Sequence, residues 1–230
     1  MTEITDEAKL EDRRSCAAAV GGLAVASHAR PETRFRDLLG PEAWYRLPAV
    51  IRERFSRNLA PGESRLFHGE VVETSVTTTG RLLARLAAIF GSALPDEHGA
   101  TGPATVMVTE RPDLGGQLYA RLYTRSGLPQ TICSVKRFAG PTGLEEAIGA
   151  GLLMRLTVHV EPAALVFRSA GYAVEIGGLC VSLPRWLEPG SATITHRDEG
   201  GGRFTFELTL DHPWLGRLVH QTAHFEELPL

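Results

Sequence analysis

Residues 203–210 read RFTFELTL, and their alternation decides the fold. Phe204, Phe206, Leu208 and Leu210 fall on one side of an extended chain, and Arg203, Thr205, Glu207 and Thr209 on the other. Successive side chains of a strand point to opposite faces, so the stretch is a half-buried strand with one apolar face. The same period runs through residues 152–160, LLMRLTVHV. There Leu152, Met154, Leu156, Val158 and Val160 oppose Leu153, Arg155, Thr157 and His159. Turn signals punctuate the chain from residue 103 onward: RPDLGG (111–116), RSGLP (125–129), AGPTG (139–143), EPA (161–163), LPRWLEPG (183–190) and EGGG (199–202). They recur about every 8–12 residues, the spacing of an antiparallel meander. Connections this short cannot be parallel crossovers. A sheet of about ten strands must curl or close, because flat open edges aggregate. The expected fold is α+β but mainly antiparallel β: a strongly curved sheet or barrel of about ten strands, with a few short helices on one side or end.

Further strands fit between the turns: TVMVTE (105–110), QLYARLYT (117–124), TICSVKRF (131–138), LVFRSAGYAVEI (165–176), ATITHR (192–197) and RLVHQTAHF (217–225). SRLFHGEVVETSV (64–76), rich in β-branched residues, precedes them. Pro41 and Pro48 each suit a first helical position, which predicts two short helices with Trp44, Leu47, Ile51 and Phe55 turned inward. In TGRLLARLAAIFG (79–91), Leu82, Leu86, Ile89 and Phe90 recur at helical spacing and Leu83 widens the stripe. That face should pack on the sheet. GPTGLEEAIGAG (140–151) reads as a turn into a strand or short helical segment. It lacks the Lys-Ser/Thr of a phosphate loop and the spacing of a dinucleotide fingerprint.

The chain divides into an appended N-terminal arm, residues 1–33, and a single β-rich domain, residues 34–230. With 230 residues and 43% hydrophobic content, one core is enough. Residues 13–29, RRSCAAAVGGLAVASHA, have the outline of a twin-arginine export signal, but Asp6, Glu7, Glu11 and Asp12 precede them. The apolar stretch falls short of the ~20 residues of a spanning helix, so no membrane insertion is expected. The reading is a cytoplasmic protein, with export the lesser alternative. Cys16, Cys133 and Cys180 are odd in number and far apart, which argues against a disulfide framework or structural zinc. Free thiols are expected, with Cys133 and Cys180 buried. The net charge is −3 and the arginines are scattered, so no nucleic-acid partner is expected.

Two stretches carry candidate chemistry. In QLYARLYT one face holds Gln117, Tyr119, Arg121 and Tyr123; the other holds Leu118, Ala120 and Leu122. The mixed face either lines a cavity, rings giving apolar contact and the guanidinium meeting an oxygen, or is a solvated sheet face with cross-strand pairs. Near the C-terminus, His220 and His224 are four apart, a metal spacing on a helix. On a strand, residues four apart lie ~13 Å from each other, too far for one metal with ligand bonds of ~2.0–2.1 Å. Leu218, His220, Thr222 and His224 then share one face, opposite Val219, Gln221, Ala223 and Phe225. His220 or Gln221 is the polar residue that would meet the interior. His212 beside Asp211 reads as surface polarity. There is no HExxH, no Cys/His metal pattern, no GxSxG elbow and no Walker loop, so neither metal nor cofactor is expected.

Taken in order, FRDLLGPEAWYRLP, GRLLARLAAIFGSALP, YARLY, EEAIGAGLLMRL, LPRWLEPGSA, GRFTFELTL and PWLGRLVHQTA resemble the bacterial family called domain of unknown function 4166. The resemblance covers about residues 34–226. That family occurs alone or fused behind a saccharopine-dehydrogenase-like domain, which implies a reductase as a partner; it brings no established activity. Glu146 with Gly149 matches its Glu-x-x-Gly, and Pro184, Arg185 and Trp186 fit its Leu-Pro run. Its Trp-x-Arg-x-Phe is here Tyr119, Arg121 and Tyr123, and its Tyr-x-Gly is replaced at Gln221 and Ala223. Two functions follow as expectations. One is a cofactor-independent enzyme, a cyclase or isomerase holding a small apolar polyketide- or isoprenoid-like substrate in a barrel-like cavity, where positioning alone can supply roughly 7–11 kcal/mol. Arg121, Glu146 and His220 would be its catalytic residues, and Tyr119, Tyr123, Arg185, Trp186 and Gln221 would contact the ligand. The other is a non-catalytic module for an apolar ligand, or an accessory domain for a reductase.

Overall fold

The computed structural model describes residues 34–57, 59–89, 94–124, 129–149 and 151–228. The expected N-terminal arm with its twin-arginine outline, Cys16, Phe90 and most of the RSGLP turn lie outside the described residues.

Among the described residues three short helices come first: α1 (Arg34–Leu39), α2 (Pro41–Arg46) and α3 (Ala49–Ser56). The eleven strands are β1 (Ser64–Val76), β2 (Gly102–Arg111), β3 (Gly116–Tyr123), β4 (Gln130–Arg137), β5 (Glu145–Gly149), β6 (Leu152–Glu161), β7 (Ala164–Ile176), β8 (Leu179–Ser182), β9 (Ser191–Gly200), β10 (Arg203–His212) and β11 (Gly216–Leu228). A fourth helix, α4 (Thr78–Ile89), sits between β1 and β2. The strands pair in the order β6-β5-β4-β3-β2-β1-β11-β10-β9-β7, and β7 pairs back onto β6. Every pairing is antiparallel. The sheet is thus a closed ten-stranded barrel, and β8 hangs outside it as a hairpin partner of β7. Closure removes the open edges that a sheet of this size would otherwise expose.

The period-2 stretches became strands as expected. Phe204, Phe206, Leu208 and Leu210 of β10 point into the barrel. The glycine-rich stretch supplies β5, five residues too short for any alternation to show. Pro41 and Pro48 open α2 and α3 as N1 and N-cap, and Trp44, Leu47 and Ile51 are buried. Phe35 of α1 packs edge-on against Phe55 and Phe138, which seats these helices against one end of the barrel.

The face of α4 differs from expectation. Leu82 and Leu86 are 60% and 49% exposed, whereas Gly80 and Ala84 are buried. The helix is capped by Thr77, whose hydroxyl accepts from the Gly80 amide (3.1 Å). Gly80 lies so close to β11 that a Cβ there would stand 2.2 Å from the Leu218 carbonyl oxygen. This approach turns the small residues to the barrel and leaves the leucines at the rim. The cysteines also depart from the reading. Cys180 is exposed on β8, and Cys133, though buried, is disulfide-bonded rather than a free thiol. None of the described helices is long and apolar enough to cross a membrane.

Candidate functional site

The mixed face of β3 turns inward. Gln117, Tyr119, Arg121 and Tyr123 line the barrel interior, while Leu122 is exposed and Leu118 packs outside against Val135, Ala147 and Leu153. β3 therefore reverses the usual rule, with its polar face inside. β4, hydrogen-bonded beside it, follows suit: Ile132, Ser134 and Lys136 face in.

Arg121, Tyr123, Ile194 and Phe206 border two chambers. The first, about 110 Å³, lies under α1 and α3. It is walled by phenylalanines 35, 55, 67, 167, 204, 206 and 225, with Arg54, Arg57, Arg65, Arg121, Lys136 and His196 among them. The second, about 280 Å³, lies under α4 and the 183–189 connection. Leu83, Leu86, Leu94, Ile132, Ile148, Leu152, Met154, Leu183, Leu187, Leu208 and Leu210 make it apolar. Its polar groups are few: Arg121, Tyr123, Ser134, Glu146, Tyr172 and Gln221.

A charged network sits where the chambers meet. Glu146 of β5 is 3% exposed. Ser134 Oγ donates to Glu146 Oε1 (2.5 Å); Arg121 donates through Nη1 to Ser134 Oγ (3.0 Å) and through Nη2 to Glu146 Oε1 (3.4 Å). Lys136 Nζ stands 3.6 Å from Glu146 Oε2 and 4.5 Å from the ring centres of Tyr119 and Phe167. Burial pushes the Glu146 carboxyl up, but Lys136, Arg121 and the Ser134 hydrogen bond outweigh it and hold the group below the usual carboxylate range. Glu146 is thus an ion at neutral pH. Its neighbour Glu145 points the other way, to Arg137 (2.7 Å), as adjacent strand residues must.

His196 of β9 is buried in the first chamber. Arg54 Nη1 donates to its Nε2 (2.8 Å), and its ring packs on Phe204 and Phe55. Burial, then Arg54, hold the imidazole well below the ordinary histidine range. It is neutral, and because Nε2 accepts, Nδ1 carries the proton. Tyr172 of β7 faces the second chamber, its phenol pushed up to about 12 by burial. Gln221 Nε2 donates to Thr74 Oγ1 (3.3 Å), and its buried Oε1 has no hydrogen-bond partner among the described residues.

Of the residues singled out from sequence, Arg121, Glu146, Tyr119, Tyr123 and Gln221 meet in the interior. His220 does not: it lies on the outer face of β11, between Glu207 (3.2 Å) and Glu73 (3.5 Å). β11 is a strand, so His220 and His224 are placed as the strand reading required, and His224 bonds to Thr205 instead (2.9 Å). Arg185 and Trp186 are exposed, Trp186 by 67%; their neighbours Leu183, Leu187 and Pro189 line the second chamber. Lys136, Ser134, His196 and Tyr172 were missed. The signal for His196 was present: Ala192, Ile194 and His196 share one face of ATITHR. Lys136 and Ser134 likewise alternate with Val135 and Arg137.

Fold and site define a class: a closed antiparallel β-barrel with helices over its ends and a charged network between an aromatic and an aliphatic chamber. Residues 47–225 match the family described as Domain of unknown function (DUF4166), and the chain belongs to it. No curated protein matches the chain.

Proposed function

We propose that the barrel binds a small, mainly apolar molecule in its interior. The second chamber carries this reading: about 280 Å³ of space open at one rim, aliphatic walls and a few convergent polar groups. That is the composition of small-molecule sites, at a volume just below their ~300–1,000 Å³ range. Binding stands ahead of catalysis because Glu146, the strongest acid-base candidate in the interior, is tied to two cations and a hydroxyl, and His220 faces outward. Titrating the full-length protein with an environment-sensitive apolar dye tests it. Saturable binding, lost in Ala192→Phe while the fold survives, is the expected result. Dye binding indifferent to a bulky residue in this chamber would move the ligand elsewhere.

A second reading, the cofactor-free isomerase or cyclase, is favoured by one observation. An ionised carboxylate and a proton-bearing phenol, Glu146 and Tyr172, both face the apolar chamber. Such a pair can hold a flexible molecule in one reactive shape. Incubation with isoprenoid- or polyketide-like compounds separates the readings: an isomeric product supports the enzyme, and unchanged compound with tight binding supports the carrier. The accessory role beside a reductase rests on the family resemblance alone.

A further inference from the structure

The first chamber is strongly one-sided in charge. Five cationic side chains line it, Arg54, Arg57, Arg65, Arg121 and Lys136, and no acidic one does. Glu227 pairs with Arg57 and Arg65 from the edge, and Glu146 is shared by Arg121 and Lys136. Among the described residues Arg54 has the neutral His196 ring and the Gly202 carbonyl oxygen as its hydrogen-bond acceptors, and its buried Nε has none.

Lys136 is the sharpest case. It is 5% exposed and lies in ion-pair range of Glu146 Oε2 at 3.6 Å, and no acceptor among the described residues comes within hydrogen-bond distance. Two aromatic faces flank the ammonium, and the chamber lies in front of it. Glu146 meets this ammonium but is shared with Arg121, so the chamber's five cations have two carboxylates between them and a further anion is stabilised there. Seven phenylalanines wall the chamber, which favours an organic anion with an apolar body over an inorganic one.

We infer that the bound molecule is an organic acid whose carboxylate-sized head sits against Lys136 in the aromatic chamber, its apolar body running past Arg121 and Phe206 into the aliphatic one. This rests on the binding function proposed above and names its ligand class.

The test uses the full chain and one chain length: decanoate, decanol and decyltrimethylammonium compete against the apolar dye at neutral pH. Decanoate should displace the dye at least about tenfold better than decanol, and the cationic amphiphile worst; a factor of ten is 1.4 kcal/mol, within the reach of one charge-assisted contact. In Lys136→Gln the preference for decanoate over decanol should shrink to within about twofold while decanol is unaffected, and Lys136→Arg should keep most of it. Equal displacement by decanoate and decanol in the wild type overturns the acid head but leaves the apolar site standing. If no decyl compound displaces the dye, the apolar site falls and the acid head falls with it. The wild-type comparison decides the matter even if Lys136→Gln fails to fold.

Discussion

Glu146 is the residue on which the interior depends most. It is the carboxylate that touches both Arg121 and Lys136, and all three are removed from bulk water. Breaking a buried ion pair by removing one partner costs about 3–5 kcal/mol, because the remaining charge stays buried. Glu146→Gln should therefore lower the unfolding free energy by that much, seen as a lower urea midpoint with the slope of the transition unchanged. His196 makes a separate prediction in pH. Its folded-state affinity for protons lies well below that of the unfolded chain, near 6.5. Acid then favours the unfolded state, so the stability His196 contributes is complete above pH 6.5 and is lost as pH falls below it, by about 1.4 kcal/mol per unit. His196→Gln, which can still accept from Arg54, should remove that slope in denaturation curves taken between pH 6.5 and 5. Glu146 acts in the same direction but only below 4.5, where the unfolded carboxyl begins to take up protons. At this scale the sequence was half legible. The alternation of QLYARLYT put Arg121 with two tyrosines, but nothing in it named Glu146 as partner, because that contact spans 25 residues.

Among the elements, α4 shows how one glycine sets an orientation. Helix propensity alone makes Gly80→Ala favourable by about 1 kcal/mol. The Leu218 carbonyl oxygen, 2.2 Å from where the Cβ would stand, reverses the sign. Gly80→Ala should lower the unfolding free energy by about 1–3 kcal/mol through overpacking, and a stabilised variant would mean that the helix does not sit down on β11 as described. The helical spacing of the leucines was read correctly as a helix; Leu83 packs on the core as expected, Leu82 and Leu86 do not, and the side chains of Ile89 and Phe90 lie outside the described residues. Leu86 instead stands at the rim of the second chamber, half-exposed, beside Leu83 and Ala87. A hydrophobic stripe marks a helix face that avoids water; it does not say whether that face meets a wall or a cavity mouth. In the same way the apolar run around Cys180 forms a strand, β8, but its four residues are exposed where burial was expected.

For the whole molecule, the decisive contact joins the first strand to the last. β1 and β11 pair over ten register positions, from Leu66 with Leu228 to Val76 with Val219, and only this seam turns a meander into a barrel. A Cβ on Gly69 would stand 1.9 Å from the His224 carbonyl oxygen across that seam. Gly69→Ala should loosen it, seen as faster amide exchange in β1 and β11 than in β4, together with a tendency to associate through the freed edges. Were exchange to rise equally in every strand, the seam would not be the weak point. The sequence by itself determined the strands, their antiparallel order and the need to curl or close, since side-chain period and turn chemistry are local. It also determined which residues share a face. Tertiary structure alone decided which face of each strand looks inward. Alternation is symmetric between the two sides, and the choice falls to distant partners. On β3 the polar face won the interior because Ser134 and Glu146, 13 and 25 residues away, satisfy Arg121 there, while the leucines of the other face found cover only in part, Leu118 against Val135 and Leu153.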